Sequence, residues 1–247
     1  MATIRDVIRP ALDRSLSSIV VGAGSVWTLR DDQVLRIDPA TERVVARVSL
    51  PGVGRALAVS ETAVWTVCCS GGIRILRIDP VTDAVASSAR VGTTTAGFAT
   101  APGALWWINF SKAASVSRFD TTTWEERYVA TPFFIRLLAV TPAWVWLIGD
   151  DRVARVAIAG SAATRTAIRT DEPILSATAA GGTVWLYTGN LLGFDERTGA
   201  ITHRIRVNGP GGFDPTTAAL PVAGVAVSGD RVWTVDPGGD RVIGVRQ

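Results

Sequence analysis

Short runs of apolar, β-branched and aromatic residues, separated by Gly, Pro, Ser and Asp, succeed one another along the whole chain. The stretch from Ala56 to Val91 shows the pattern most plainly. Ala56–Val59, Ala63–Val67, Ile73–Ile78 and Ala84–Val91 each read as a strand, with turn-forming residues in every gap. No segment carries a sustained helical apolar period, so the prediction is all-β.

The strands come in repeating sets. An apolar-Trp dipeptide recurs at Val26-Trp27, Val64-Trp65, Leu105-Trp106, Val145-Trp146, Val184-Trp185 and Val232-Trp233, at intervals of 38, 41, 40, 39 and 48 residues. A second mark follows the first three tryptophans as Arg36-Ile37-Asp38-Pro39, Arg77-Ile78-Asp79-Pro80 and Arg118-Phe119-Asp120-Thr121. Gly193-Phe194-Asp195-Glu196 is a weaker copy, and at Arg155-Val156-Ala157-Ile158 the mark is lost. Four-stranded repeats of about 40 residues are the blades of β-propellers. The expected fold is therefore a six-bladed β-propeller, four antiparallel strands per blade, forming one domain over 1–247. The blades are placed at 16–50, 56–91, 97–131, 137–170, 175–207 and 224–247, with strand 3–9 from the N-terminus completing the last and closing the ring. The tryptophans are expected to fill the wedges between blades, and each Asp to cap the turn between third and fourth strands.

Internal copies also separate a constant face from a variable one. Trp-to-Asp spacing is 11, 14, 14 and 10 residues where the Asp exists, so the loops between second and third strands vary. Asn208–Pro221 lengthens one loop entering a first strand. Irregular loops on a regular scaffold are where binding residues gather. The expected site residues lie there: Arg136, Glu172 and Lys112 for chemistry, and Phe110, Phe133, Phe134, Tyr187, Phe213, Arg55 and Asp214 for substrate contact. Asp31, Asp32, Cys68, Cys69, Asp150, Asp151 and Asp171 share these loops. A mouth lined by aromatics with a few charges suits an apolar small molecule or an apolar peptide.

Charge narrows the partners. The formal net charge is +3 and the pI about 9.4, yet the basic residues, all arginine except Lys112, are scattered rather than gathered in a patch. Nucleic-acid binding is not expected. No uncharged apolar run is long enough to span a membrane, and the charge-broken N-terminal stretch lacks the apolar core of an export signal, so a cytoplasmic monomer is expected. The adjacent Cys68 and Cys69 are expected to stay unpaired. With one histidine, His203, on an outer strand, no His-based triad and no Cys/His metal set can be built, and no metal or cofactor is expected.

The blade signature at Val26–Thr41 and Val64–Thr82 resembles the bacterial propellers grouped with virginiamycin B (streptogramin) lyase and the YVTN-type repeats. That resemblance implies a propeller fold over nearly the whole chain. The lyases have seven blades and use a central histidine and glutamate with magnesium; this chain has six units, and His203 does not match the central position. The gluconolactonase-type propellers are similar in blade count and hold a divalent metal with acidic and amide residues on inner strands. The corresponding segments here, such as Ala56-Leu57-Ala58-Val59 and Leu175-Ser176-Ala177-Thr178, supply no carboxylate.

Two functions compete on this reading. The first is a metal-independent lyase, isomerase or cyclase acting on an apolar substrate in an axial pocket. In it Glu172 (or Asp171) abstracts a proton, and Arg136 or Lys112 stabilises the developing charge. The second is a non-catalytic scaffold that recognises a protein or peptide on the same loop face.

Overall fold

The computed structural model describes residues 18–41, 43–69, 72–92, 95–109, 115–206, 225–228, 231–236 and 241–246. Every regular element among them is a strand, and successive strands pair antiparallel as meanders. Sheet one is β1 (Ser18–Gly22), β2 (Ser25–Arg30), β3 (Gln33–Asp38) and β4 (Arg43–Ser49). Sheet two is β5 (Gly54–Val59), β6 (Val64–Cys68), β7 (Arg74–Asp79) and β8 (Ala84–Arg90). Sheet three is β9 (Thr95–Ala101), β10 (Ala104–Asn109), β11 (Ser115–Asp120) and β12 (Glu126–Ala130). Sheet four is β13 (Leu137–Val140), β14 (Trp144–Ile148), β15 (Arg152–Ala157) and β16 (Thr164–Arg169). Sheet five is β17 (Ser176–Ala180), β18 (Thr183–Tyr187), β19 (Leu191–Asp195) and β20 (Ile201–Ile205). A three-stranded sheet follows, β21 (Val225–Ser228), β22 (Arg231–Asp236) and β23 (Arg241–Arg246). The strand expected to complete it, 3–9, lies outside the described residues.

The chain divides into two compact units, Met1–Thr94 with Phe98–Thr100, and Thr95–Gly97 with Ala101–Gln247. In the first, one core joins Trp27, Leu29 and Val34 of sheet one to Leu57, Val64 and Leu76 of sheet two. In the second, Trp106, Ile108 and Val116 pack with Val145, Leu147 and Val156, while Trp146 and Ile148 pack with Val184, Leu186 and Phe194. Second strands are apolar along their length, and β6 and β10 are buried from end to end. Fourth strands alternate exposed and half-buried positions, as β4 does, because only one face is covered.

The recurrent tryptophan has a recurrent partner. Trp27 stands opposite Arg36, Trp65 opposite Arg77, Trp106 opposite Arg118 and Trp146 opposite Arg155. Directly opposite residues share a sheet face, and for Arg36 and Arg155 the guanidinium lies over an indole. Arg36 lies 5.5 Å from the Trp27 ring centre, and Arg155 lies 4.1 Å from Trp144 and 5.5 Å from Trp146. From there the arginine reaches the next sheet's turn between third and fourth strands. Arg36 Nη1 donates to Pro80 O at 2.9 Å, Arg118 Nε to Ile158 O at 3.1 Å and Arg155 Nη1 to Glu196 O at 2.6 Å. Arg36, Arg118 and Arg155 are thus latches between consecutive sheets. Sheet four has lost only the Asp-Pro part of its mark; Arg155 keeps the latch. In sheet five Gly193 faces Trp185, and the vacated space is filled by His203, whose ring centre is 5.0 Å from that of Trp185.

The Asp turns form as expected. Asp38, Asp79, Asp120 and Asp195 each accept a hydrogen bond from the backbone N–H two residues on, at 2.8–3.2 Å. The fourth residue after three of these aspartates has positive φ: Asp83 (54°), Trp124 (60°) and Gly199 (72°). Each donates its N–H to the carbonyl of its Asp at 2.8–2.9 Å. Trp124 accepts that conformation while packing edge-on against Phe119, with ring centres 5.6 Å apart.

Candidate functional site

Three segments of the second unit converge on the side expected to carry function: 131–136 before β13, the β14–β15 turn at 149–152, and 169–174 before β17. The β14–β15 turn is pinned by its backbone. Thr170 N–H donates to Asp151 O at 3.0 Å and Ile174 N–H to Asp150 O at 2.7 Å. Sheet one repeats the device at Asp31-Asp32, which accept from Gly54 N–H at 2.6 Å and Leu50 N–H at 2.7 Å. An Asp-Asp turn therefore serves first to fix the chain between one sheet and the next. The side chains are left pointing outward.

Those side chains form paired charges. Arg136 Nη1 contacts Asp150 Oδ1 at 2.7 Å, with both partners about half exposed or more. Arg152 Nε contacts Asp151 Oδ1 at 2.6 Å, and Arg169 Nη1 approaches Asp151 Oδ2 at 3.6 Å. The hydrogen bond from Arg152 holds the Asp151 carboxyl below its ordinary range, and the same bond raises Arg152 above its own. The Arg152 guanidinium also lies 5.9 Å from the centre of the half-buried Phe133 ring. Phe133 packs where a side chain at Gly149 would stand, since a Cβ there would meet its Cδ2 at 2.9 Å. Arg165 donates to Pro132 O at 3.1 Å and Thr131 Oγ1 to Phe133 O at 2.8 Å, so segment 131–136 is tied down. On this fixed rim Phe134 is 57% exposed.

Of the residues expected from sequence, Arg136, Phe133 and Phe134 share one segment, and Glu172 lies in the segment stitched to Asp150-Asp151. Glu172 is exposed, and its backbone carbonyl accepts from Thr170 Oγ1 at 2.7 Å. Arg55 is the exposed extra residue of a bulge between Gly54 and Ala56 on β5, in the first unit. Tyr187 was expected in a loop; it is the last residue of β18 and fully buried, because that strand runs further than its turn residues suggested. Phe110, Lys112, Phe213 and Asp214 lie outside the described residues. Arg152, Arg165 and Arg169 were missed because they sit on strands. For Arg152 the signal was present in the sequence as a basic residue directly after an Asp-Asp pair.

The expectation of unpaired cysteines is overturned: Cys68 and Cys69 are bonded to each other. Cys68 closes β6, so the two sulfurs are held at the end of one strand rather than dispersed in a loose loop. Among the described residues no group of three or more His, Cys, Asp or Glu could hold a metal ion, and no helix is long and apolar enough to cross a membrane.

No family model matches the chain, and no curated protein matches it. Solved structures do. Hydrazine synthase of Kuenenia stuttgartiensis is 11% identical, with TM-score 0.59 over 100% of this chain and 99% of that one. The computationally designed Ika8 protein is 11% identical, with TM-score 0.66 over 95% of this chain and 72% of that one. Hsv2 of Kluyveromyces lactis is 8% identical, with TM-score 0.67 over 90% of this chain and 70% of that one. The chain has a β-propeller-like, all-β repeat architecture. At these identities the likeness is one of fold alone.

Proposed function

We propose that the chain is a six-bladed propeller, closed by residues 3–9, that works as a recognition module for a protein or peptide partner. The rim built from 131–136, 149–152 and 169–174 is its contact surface. One observation carries this reading: Phe134 is 57% exposed on a segment tethered by backbone and side-chain hydrogen bonds, between two exposed Arg–Asp pairs. An exposed aromatic flanked by arginines on a rigid rim is the composition of an interface hot spot. Arg136 is engaged by Asp150, and Glu172 stands in solvent rather than in an apolar recess. Both features favour display over proton transfer.

A photo-crosslinking residue at position 134, with a second at position 123 in the Asp120 turn as control, tests the reading in cells that make the protein. A discrete protein adduct is expected from 134 and not from 123. Loss of adduct specificity, or an unchanged adduct when Arg136 and Arg152 are both replaced by alanine, refutes it.

The catalytic alternative is supported by β17, whose small residues Ser176-Ala177-Thr178-Ala179-Ala180 are all only half-buried, leaving room beside an inner strand. In that case Glu172, Arg136 and Lys112 serve an apolar substrate in an axial pocket. Turnover surviving unchanged in both Glu172→Ala and Arg136→Ala removes that assignment.

A further inference from the structure

We propose that Cys68 and Cys69 form a thiol–disulfide exchange site, reduced by a dithiol and tuned by Arg74. The two sulfurs are bonded, and they differ in access: Cys68 is fully buried at the end of β6, while Cys69 is half-buried with φ at +94°. A side-chain-bearing residue adopts that backbone conformation reluctantly, so opening the ring releases Cys69. Cys68 lies in a cross-strand row. Gly54 faces it on β5, Arg74 faces it on β7, and Arg90 faces Arg74 on β8. Opposite residues share a face with Cβ atoms roughly 5 Å apart, so Arg74 and, beyond it, Arg90 stand in the same row as Cys68. Among the described residues Arg74 Nε is buried without a hydrogen-bond acceptor. Arg90 reaches over the turn, its Cζ 3.9 Å from where a Cβ on Gly72 would stand. No carboxylate occupies the row. The other charged groups of these elements include Arg55 on β5, Arg77 and Asp79 further along β7, and Asp31 and Asp32 in the turn that holds Gly54.

A disulfide offers a guanidinium little to bind, whereas a thiolate is the acceptor that Arg74 lacks. Exchange therefore has a direction. The thiolate of a dithiol attacks the accessible Cys69 Sγ, the Sγ–Sγ bond breaks, and Cys68 leaves as a thiolate beside Arg74. The second thiol of the reductant then attacks the mixed disulfide and closes its own ring. Cys69 leaves as a thiolate and takes the proton that this thiol gives up. Two electrons pass from the dithiol to the protein pair, and the reductant ends as a disulfide. A leaving thiol of lowered pKa leaves faster.

The test uses the full chain, oxidised with diamide and freed of the oxidant, then treated with millimolar dithiothreitol in the absence of denaturant and alkylated at timed intervals. Peptide mass analysis is expected to show both cysteines blocked before reduction, and Cys69 labelled ahead of Cys68 afterwards. Arg74→Gln is expected to slow reduction by at least about threefold, because the leaving thiolate loses its cationic neighbour. The same variant shifts the pH profile of Cys68 alkylation upward, and Arg74→Lys restores both. Three results overturn the proposal: both cysteines alkylated in the oxidised sample, reduction only in urea, or kinetics in Arg74→Gln equal to the parent's.

Discussion

Replacing Arg155 with methionine keeps most of the side-chain length and removes the guanidinium. Two contributions are lost. The hydrogen bond to Glu196 O, 2.6 Å long, links a charged donor to the neighbouring sheet's turn, and such bonds contribute about 1.5–3 kcal/mol. The guanidinium over Trp144 at 4.1 Å and Trp146 at 5.5 Å adds about 0.5–1 kcal/mol where partly exposed. Because water can reach the freed carbonyl, the lower part of the range applies, and the expected loss is about 2 kcal/mol. For a chain of 247 residues that corresponds to a fall in Tm of roughly 4–8 °C. The control is Arg127→Met. Its partner Glu125 lies just before the same strand, the pair is exposed, and its loss is worth about 0–1 kcal/mol. Urea melts and thermal melts of the two variants decide the matter. Equal destabilisation of Arg155→Met and Arg127→Met refutes the latch, because the contact with the next sheet would then count for no more than a surface pair.

Three further outcomes follow from the same geometry. The carboxyls of Asp38, Asp79, Asp120 and Asp195 are held below their ordinary value, chiefly by turn N–H and Thr donors. Their contribution is therefore complete above the unfolded carboxylate pKa and is lost as pH falls through the lower folded values; Tm should decline across that acidic window, and less steeply in Asp79→Asn. Gly193→Ala places a Cβ 3.1 Å from both the His203 ring and the Trp185 edge, and should cost about 1–3 kcal/mol in urea melts. Adding His203→Ala should recover much of that loss, and a strictly additive double variant would refute the packing argument.

The local grammar of the fold was legible because it depends on residues close in sequence. An Asp followed by Pro and Thr closes its own turn, and an apolar-Trp pair marks a strand buried on both faces. The latch was half legible. Arg36 and Arg118 were visible as part of a mark, but their role depends on a carbonyl about 40 residues away. Arg155 was discarded with a mark that had lost its Asp, although the Asp and the Arg answer to different constraints. The Asp closes a turn within one sheet, and the Arg joins that sheet to the next. Either can therefore be lost alone.

The same separation explains the site. Asp150 and Asp151 were read as loop charges, and their backbone carbonyls turn out to hold the connection between sheets, just as Asp31 and Asp32 do in sheet one. What differs between the two copies is what surrounds the turn: Arg136, Arg152 and Arg169 in sheet four, against Arg30 and Gln33 in sheet one. Comparing internal copies by the partner each residue serves, rather than by the residue alone, divides such a rim into what the scaffold requires and what it leaves free. By that division the side chains of Arg136 and Arg169 serve the rim, whereas Asp150 and Asp151 serve both rim and scaffold. Replacing either aspartate by asparagine keeps the backbone clamp and breaks only the ion pair, so a recognition rim loses affinity in those variants with stability changed by less than about 0.5 kcal/mol.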